Sequence, residues 1–192
     1  MRAAKQALRE RLLSRRRELG ARELAEGAGA LRDVLLADPQ VAEAGTVACY
    51  VSVGGEPGTG PLLDELEQRG TETLLPVRLD DGDLDWARYT GAHGLAPAPL
   101  GLLEPQARPL GPVEVRRAQV VMVPALAVDR HGHRLGRGGG SYDRALTRLV
   151  GTDALVVALV HDTEVLDLPV PHERHDIPVH AVATPSGLRR LR

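Results

Sequence analysis

Three apolar runs separated by amphipathic stretches constrain the fold of this 192-residue chain more than any other feature. They are TVACYVSV (46–53), AQVVMVP (118–124) and DALVVALV (153–160), and each is apolar on both faces of an extended strand. Strands buried on both faces are typical of parallel sheets that helices cover on each side. We therefore predict a layered α/β fold with a mainly parallel sheet.

The stretches between these runs carry the periodicity of helices and of shorter strands. Helices are predicted at 3–19, 21–37, 61–70 and 141–150, and further strands at 71–77, 84–90 and 177–184. In the last of these helices, four side chains are expected on one side: Tyr142, Leu146, Leu149 and Val150. Strands that alternate with helices in this way support the parallel arrangement.

Residues 91–111 lack clear periodicity. Glycine and proline are dense there, which predicts a long irregular excursion rather than a domain linker. Four leucines are expected to keep the excursion packed against the domain: Leu95, Leu100, Leu102 and Leu103.

Length and composition favour one domain with a full hydrophobic core, which we predict over residues 1–192. The net charge of −2 gives no reason to expect nucleic acid or a membrane surface as a partner. No apolar stretch reaches the roughly 20 residues that cross a bilayer, and the basic start lacks the apolar segment of a secretory signal. The lone Cys49 is expected to be a small buried hydrophobe, which suits a reducing cytoplasm.

A glycine-rich segment, HRLGRGGGSYDRAL (133–146), lies between a predicted strand and a predicted helix. Glycines let main-chain N–H groups approach a phosphate, and a helix amino terminus adds partial positive charge. Arg134 and Arg137 can neutralise phosphate oxygens, and Asp143 can favour the helix dipole or reach a phosphate-bound Mg²⁺. The segment is neither a Walker loop nor a dinucleotide fingerprint, so a simple tight turn remains the alternative to an anion site.

Lys5 is the single lysine among 24 basic residues. Drift of a GC-rich genome towards arginine would leave an occasional lysine by chance. Alternatively, the position requires a compact ammonium that the planar guanidinium cannot replace. The residues alone leave both interpretations open.

Several other polar and aromatic residues favour structural roles. Six histidines raise the question of a zinc site, but their spacing matches no helical His-x-x-x-His pair, and surface positions or positions beside the site are favoured. These are His131, His133, His161, His172, His175 and His180. Trp86 is expected in the core, with a pocket wall as the alternative, and Arg15–Arg17 are expected to form a solvated helix face.

The sequence resembles the 5-formyltetrahydrofolate cyclo-ligase family, also called 5,10-methenyltetrahydrofolate synthetases. The segment VPALAVDRHGHRLGRGGGSYDRAL is similar to the family's core signature. Further similar segments occur in the same order as in the family: KQALR, YVSVGGEPGT, LDWARYTG…GLLEP and PHERHDIPVHAVAT. The resemblance implies a single-domain, three-layer α/β/α sandwich with a Rossmann-like sheet, related to sugar-phosphate isomerases and CoA transferases.

The resemblance also implies roles for individual residues. Lys5 and Arg9 would contact the ATP phosphates, and Arg137, over the transferred phosphoryl group, would act with Lys5 in catalysis. The nucleotide loop would comprise Arg134, Leu135, Gly136, Arg137, Gly138, Gly139, Gly140, Ser141 and Tyr142. Asp143 and Asp176 would help hold Mg²⁺. Val51, Glu56 and Tyr142 would bind the reduced folate.

Three positions depart from the family pattern. Ser141 stands where the family usually has a second tyrosine, which puts a stacking role there in doubt. His180 replaces a common acidic residue near Asp176, which weakens its claim as a metal ligand. Val128 replaces a usual phenylalanine, a difference we interpret as packing alone.

The implied reaction is the ATP- and Mg²⁺-dependent cyclisation of 5-formyltetrahydrofolate to 5,10-methenyltetrahydrofolate, with ADP and phosphate as the other products. A monomer in the cytoplasm with small-molecule substrates, reduced folate and ATP, is expected. Glu56 would accept hydrogen bonds from the pterin, with a role as general base left open. Two rival hypotheses remain, a related enzyme of the isomerase or CoA-transferase type and a non-catalytic folate- or nucleotide-binding relative.

Overall fold

The structure, a computed structural model, describes residues 2–173 and 176–191. The α-helices of these residues are α1 (Arg2–Glu18), α2 (Ala21–Leu36), α3 (Pro39–Ala42), α4 (Gly60–Gln68) and α5 (Ser141–Thr147). The first strands are β1 (Thr46–Ala48), β2 (Glu72–Arg78), β3 (Leu84–Arg88), β4 (Leu95–Ala98), β5 (Leu102–Pro105) and β6 (Val120–Pro124). The remaining strands are β7 (Ala127–Asp129), β8 (Arg134–Leu135), β9 (Leu155–Leu159), β10 (Val165–Leu166), β11 (Ala181–Thr184) and β12 (Gly187–Arg190).

A seven-stranded central sheet has the order β12-β11-β9-β6-β1-β2-β3. The five inner strands, from β11 to β2, are all parallel to one another. The outer strands β12 and β3 each pair antiparallel with their neighbours. The mainly parallel sheet predicted from the three apolar runs is therefore confirmed, and the antiparallel strands lie only at its edges.

Successive residues of the inner strands point to opposite faces, and each face has its own hydrophobic core. Val120 packs on the face covered by α2 and α4, whereas Val121 packs on the face covered by α5. Trp86 is fully buried on the α5 face, as expected for a core residue. This alternation gives the predicted α/β/α layering. Within the described ranges, no helix is long and apolar enough to span a bilayer.

The predicted strand 46–53 ends early, at Ala48. Cys49 continues the pairing for one more hydrogen bond, from its N–H to the Leu74 carbonyl at 2.9 Å. The chain then leaves the sheet because Ser52 and Thr59 exchange two hydrogen bonds between side-chain hydroxyls and main-chain N–H groups. The Cys49 side chain is fully buried as predicted, and burial raises the pKa of its thiol to about 12.

Residues 91–111 are more regular than predicted, because β4 and β5 pair as an antiparallel hairpin. The expectation that its four leucines are packed is wrong for two of them. The exposed fraction is 76% for Leu100, at the hairpin turn, and 41% for Leu103. Val150, expected on the buried side of the helix at 141–150, is also exposed, because α5 ends at Thr147 and the chain turns there.

Arg16 corrects the prediction that residues 15–17 form a solvated helix face. Its guanidinium is buried and donates to both oxygens of Glu164, each at 2.7 Å, and to the Ala125 carbonyl. Glu164 is buried too, and its carboxylate also accepts the His161 N–H. The ion pair fastens α1 to the segment that follows β9, and the contact with Ala125 fastens it to the end of β6. Arg15 and Arg17 are exposed on either side.

Candidate active site

A cavity of about 950 Å³ lies beyond the carboxyl ends of β1 and β6. This is the edge of an open parallel sheet at which ligands are generally bound, and the volume suits a small-molecule site. Tyr50 and Val51 line it just after β1, and Pro124–Leu126 line it at the end of β6. The amino-terminal part of α1 and the glycine-rich segment form further walls.

Every residue that the sequence analysis proposed for the site lines this one cavity. They are Lys5, Arg9, Val51, Glu56, Arg134, Leu135, Gly136, Arg137, Gly138, Gly139, Gly140, Ser141, Tyr142, Asp143 and Asp176. The structure therefore brings these residues together from four separate parts of the chain. Their individual roles stay predictions.

A small three-stranded sheet, with order β10-β7-β8, carries the glycine-rich segment to the cavity. The sequence analysis missed this sheet and instead expected a loop directly after β6. Arg134, at the start of β8, is buried and donates to the Ile177 carbonyl and to Asp143, both at 2.7 Å. These contacts fix the beginning of the segment, while residues 137–139 remain exposed.

The glycines of the segment divide into two kinds. Gly138 and Gly140 have φ angles of 103° and 69°, the left-handed region that favours glycine, so the backbone itself accounts for them. Gly136 and Gly139 have neither a positive φ nor a close neighbour that a Cβ atom would strike. The backbone conformation of the segment therefore explains Gly138 and Gly140 but not Gly136 and Gly139.

Helix α1 brings the two predicted phosphate ligands Lys5 and Arg9 to the cavity. The Lys5 ammonium donates to Asp176 at 2.7 Å, and both side chains are about seven-eighths buried, with 13% and 12% exposed. The Arg9 guanidinium donates to the Gly136 carbonyl at 2.9 Å and so contacts the glycine-rich segment directly. Both residues are spaced four apart on one helix face, which directs them to the same side.

Three ion pairs in the cavity join residues with different predicted roles. Lys5 pairs with Asp176, Arg134 with Asp143, and Arg137 with Glu56 at 3.1 Å. In each pair, the cation is predicted to bind phosphate, and the carboxylate is predicted to bind Mg²⁺ or folate. Among the described residues, no group of three histidine, cysteine, aspartate or glutamate side chains is arranged to hold a metal ion.

Glu56 is buried on the loop that follows β1. One of its carboxylate oxygens accepts the Val53 N–H at 3.0 Å, and the other faces the exposed Arg137. Tyr142 lines the same cavity, and burial, with the nearby Cys49 and Glu56, raises the pKa of its phenol well above the usual value. The phenol is therefore neutral at physiological pH.

Two of the three departures from the family pattern, Ser141 and His180, make local contacts. The Ser141 hydroxyl donates to the Gly82 carbonyl at 2.5 Å and so binds the turn between β2 and β3. His180 is exposed and its Nδ1 accepts the Val156 N–H at 3.1 Å, away from the cavity lining. Of the other histidines, His133 and His172 stack with ring centroids 3.5 Å apart, and His175 lies outside the described residues.

Sequence reasoning missed three parts of the cavity wall. Tyr50 was predicted in a buried strand, Arg16 on a solvated face, and Leu102 and Leu103 in packing contacts alone. For Arg16 a signal existed, because it follows Leu8 and Leu12 at intervals of four residues and so continues the buried face of α1. For Tyr50 the neighbouring residues gave no signal beyond the apolar run.

Fold and site together define an α/β protein with a charged cavity, of a size that suits small molecules, at the carboxyl edge of its sheet. Comparisons with known proteins make this specific. The profile of the 5-formyltetrahydrofolate cyclo-ligase family matches residues 1–185. The chain therefore belongs to the 5-formyltetrahydrofolate cyclo-ligase family and is an enzyme of that type.

Individual relatives agree with the family match. The chain is 45% identical over 153 residues to a 5-formyltetrahydrofolate cyclo-ligase of Mycolicibacterium smegmatis, and the aligned region covers 77% of each chain. It is 35% identical over 150 residues to the enzyme of that name from Escherichia coli, covering 77% of this chain and 82% of the relative. The solution structure of the 5,10-methenyltetrahydrofolate synthetase of Aquifex aeolicus aligns with a TM-score of 0.83 and 28% identity, over 98% of this chain and 93% of that one.

Proposed function

We propose that this chain catalyses the ATP- and Mg²⁺-dependent cyclisation of 5-formyltetrahydrofolate to 5,10-methenyltetrahydrofolate, releasing ADP and phosphate. The observation that carries the proposal is the convergence of Lys5, Arg9, Arg134, Arg137 and the glycine-rich segment on one cavity that also holds Glu56. Cations and main-chain N–H groups suit a triphosphate, and a buried carboxylate suits the amino and ring N–H donors of a pterin.

The nucleotide half of the proposal is supported by the glycine-rich segment. Neither backbone conformation nor neighbouring atoms require glycine at positions 136 and 139. A phosphate that approaches the main-chain amides of Gly136 and Gly139 closely would require it, because a side chain would block the approach. We propose Lys5, Arg9 and Arg134 as phosphate ligands alongside residues 135–142. Arg137 is the exposed cation at the tip, and we propose that it stabilises the phosphoryl group during transfer.

Asp143 and Asp176 fit the proposed Mg²⁺, because this ion usually takes one or two carboxylates and completes its shell with phosphate oxygens and water. Bound there, Mg²⁺ would neutralise charge on the triphosphate. The ion pairs support the same arrangement, since Mg-ATP offers phosphates to Lys5 and Arg134 and a cation to their present carboxylate partners.

The proposed chemistry requires positioning and charge stabilisation rather than a nucleophilic side chain. The formyl oxygen attacks the γ-phosphorus, the bond from that phosphorus to the bridging oxygen of ADP breaks, and ADP leaves. N10 then attacks the activated formyl carbon, phosphate departs with the former formyl oxygen, and the N10 proton is lost. Glu56, with Val51 and Tyr142, would hold the pterin while these steps take place.

We further propose that residues 1–192 act as one domain, as a monomer in the cytoplasm, with small molecules as the only partners. One continuous seven-stranded sheet supports the single domain. The net charge of −2 supports the absence of a nucleic-acid partner.

An assay with purified protein, Mg-ATP and 5-formyltetrahydrofolate tests the function. We expect methenyl absorbance and ADP to appear together in equal amounts, and omission of either substrate to abolish both. Folded protein that yields neither product would contradict the proposal. Tight binding of folate or nucleotide without turnover would favour the non-catalytic relative instead.

A further inference from the structure

The hydroxyl of Tyr50 is a buried polar group without a hydrogen-bond partner. Among the described residues, three buried side-chain polar atoms share this condition: Tyr50 Oη, Trp86 Nε1 and His133 Nδ1. Of these three residues, Tyr50 alone lines the cavity. A buried donor that makes no hydrogen bond destabilises the fold, so its position at a binding cavity suggests that a ligand satisfies it.

The main chain around Tyr50 is held firmly. The Thr59 hydroxyl donates to the Tyr50 carbonyl at 2.7 Å, and Thr59 also exchanges two hydrogen bonds with Ser52. The same loop places Glu56, whose carboxylate accepts the Val53 N–H. Tyr50 and Glu56 are therefore presented to the cavity by one rigid loop, with exposed fractions of 4% and 8%.

The phenol of Tyr50 is available as a donor. Burial, together with the negative charge of Glu56, raises its pKa well above the usual value, so it keeps its proton at any physiological pH. Glu56, as a carboxylate, offers only acceptors. The loop thus presents an acceptor pair and a donor to the same cavity.

We propose that the Tyr50 hydroxyl donates a hydrogen bond to the ring carbonyl of the reduced folate and is a specificity-determining residue for that substrate. The pterin edge carries an amino group and a ring N–H, both donors, followed by a carbonyl acceptor. Glu56 matches the two donors and Tyr50 matches the acceptor, so together they read the whole edge. The inference rests on the proposed function, because it assigns the folate to the Glu56 side of the cavity.

The test compares Tyr50→Phe with wild type in steady-state assays and in direct titrations with 5-formyltetrahydrofolate. The KM and Kd for the folate should rise about 2- to 13-fold, the range of one neutral hydrogen bond, while the KM for ATP stays unchanged. The unfolding temperature should stay the same or rise, because the variant removes an unsatisfied group. Tyr89→Phe, at a half-buried tyrosine outside the cavity lining, is the matched control and should change none of these quantities.

A substrate analogue with hydrogen in place of the ring carbonyl oxygen separates a direct contact from a packing effect, because the phenol then has neither an acceptor nor a donor at that position. Wild type should discriminate against this analogue several-fold more strongly than Tyr50→Phe does, because the variant has lost the group that reads the carbonyl. Equal discrimination by the two proteins, or an unchanged folate KM in Tyr50→Phe, would overturn the assignment of Tyr50. Wild-type protein that does not turn over or bind 5-formyltetrahydrofolate would overturn the proposed function itself.

Discussion

Replacement of Arg137 by alanine is expected to lower kcat/KM for the cyclisation by about 10³-fold, the size found when an arginine that stabilises a transferred phosphoryl group is removed. The side chain is 55% exposed and forms a 3.1 Å ion pair with Glu56, and an ion pair made by so exposed a side chain contributes little to folding. The unfolding temperature should therefore change far less than the rate. Steady-state assays with ATP as the varied substrate, together with thermal unfolding, measure both effects.

Arg130→Ala is the control for this experiment, because Arg130 is exposed and lies outside the cavity lining. It should leave both rate and stability near the wild-type values. An Arg137→Ala variant with wild-type turnover would show that the proposed phosphate contact at this residue is wrong. A variant that loses rate only because it unfolds would be recognised from its unfolding curve.

Replacement of Arg16 by methionine is expected to lower the free energy of unfolding by about 3–5 kcal/mol. The change leaves the buried Glu164 carboxylate without the guanidinium that donates to both of its oxygens, and the Ala125 carbonyl without a donor. Burying an unpaired charge in this way is costly, whereas the pair itself need not be a net stabiliser. Urea denaturation measures the loss.

The neighbouring arginines provide matched controls on the same helix. Arg15→Met and Arg17→Met alter exposed side chains and should change stability by about 0.5 kcal/mol or less. The double variant Arg16→Met/Glu164→Leu should recover part of the loss, because the uncompensated carboxylate is removed as well. An Arg16→Met protein as stable as the two controls would refute the role given to the pair.

The central sheet could be predicted because its inner strands are long apolar runs that only a covered parallel sheet buries. The residues at which these strands end could not be predicted. The run that begins at Thr46 continues to Val53, but the hydroxyl contacts between Ser52 and Thr59 draw the chain out of the sheet after Cys49, and the remaining apolar residues face the cavity. An apolar pattern predicts that residues are buried, but it does not distinguish a buried strand from the wall of a cavity.

The candidate site was predictable where its residues are contiguous and less so where distant parts meet. The glycine-rich segment could be placed near the carboxyl edge of the central sheet because it comes after the strand that ends at Pro124, although the small sheet that carries it was not predicted. The pairing of Lys5 with Asp176 joins residues 171 positions apart, and no local pattern encodes it. The burial of Arg16 could have been predicted from its spacing with Leu8 and Leu12, but its partner Glu164, 148 positions away, could not.

A crystal structure with Mg²⁺ and a non-hydrolysable ATP analogue tests the central claim most directly. We predict that the phosphates lie against the main-chain amides of residues 136–140, within hydrogen-bond distance of Lys5 and Arg137. Phosphates bound elsewhere, with those amides turned to solvent, would contradict the proposed nucleotide site and the mechanism built on it.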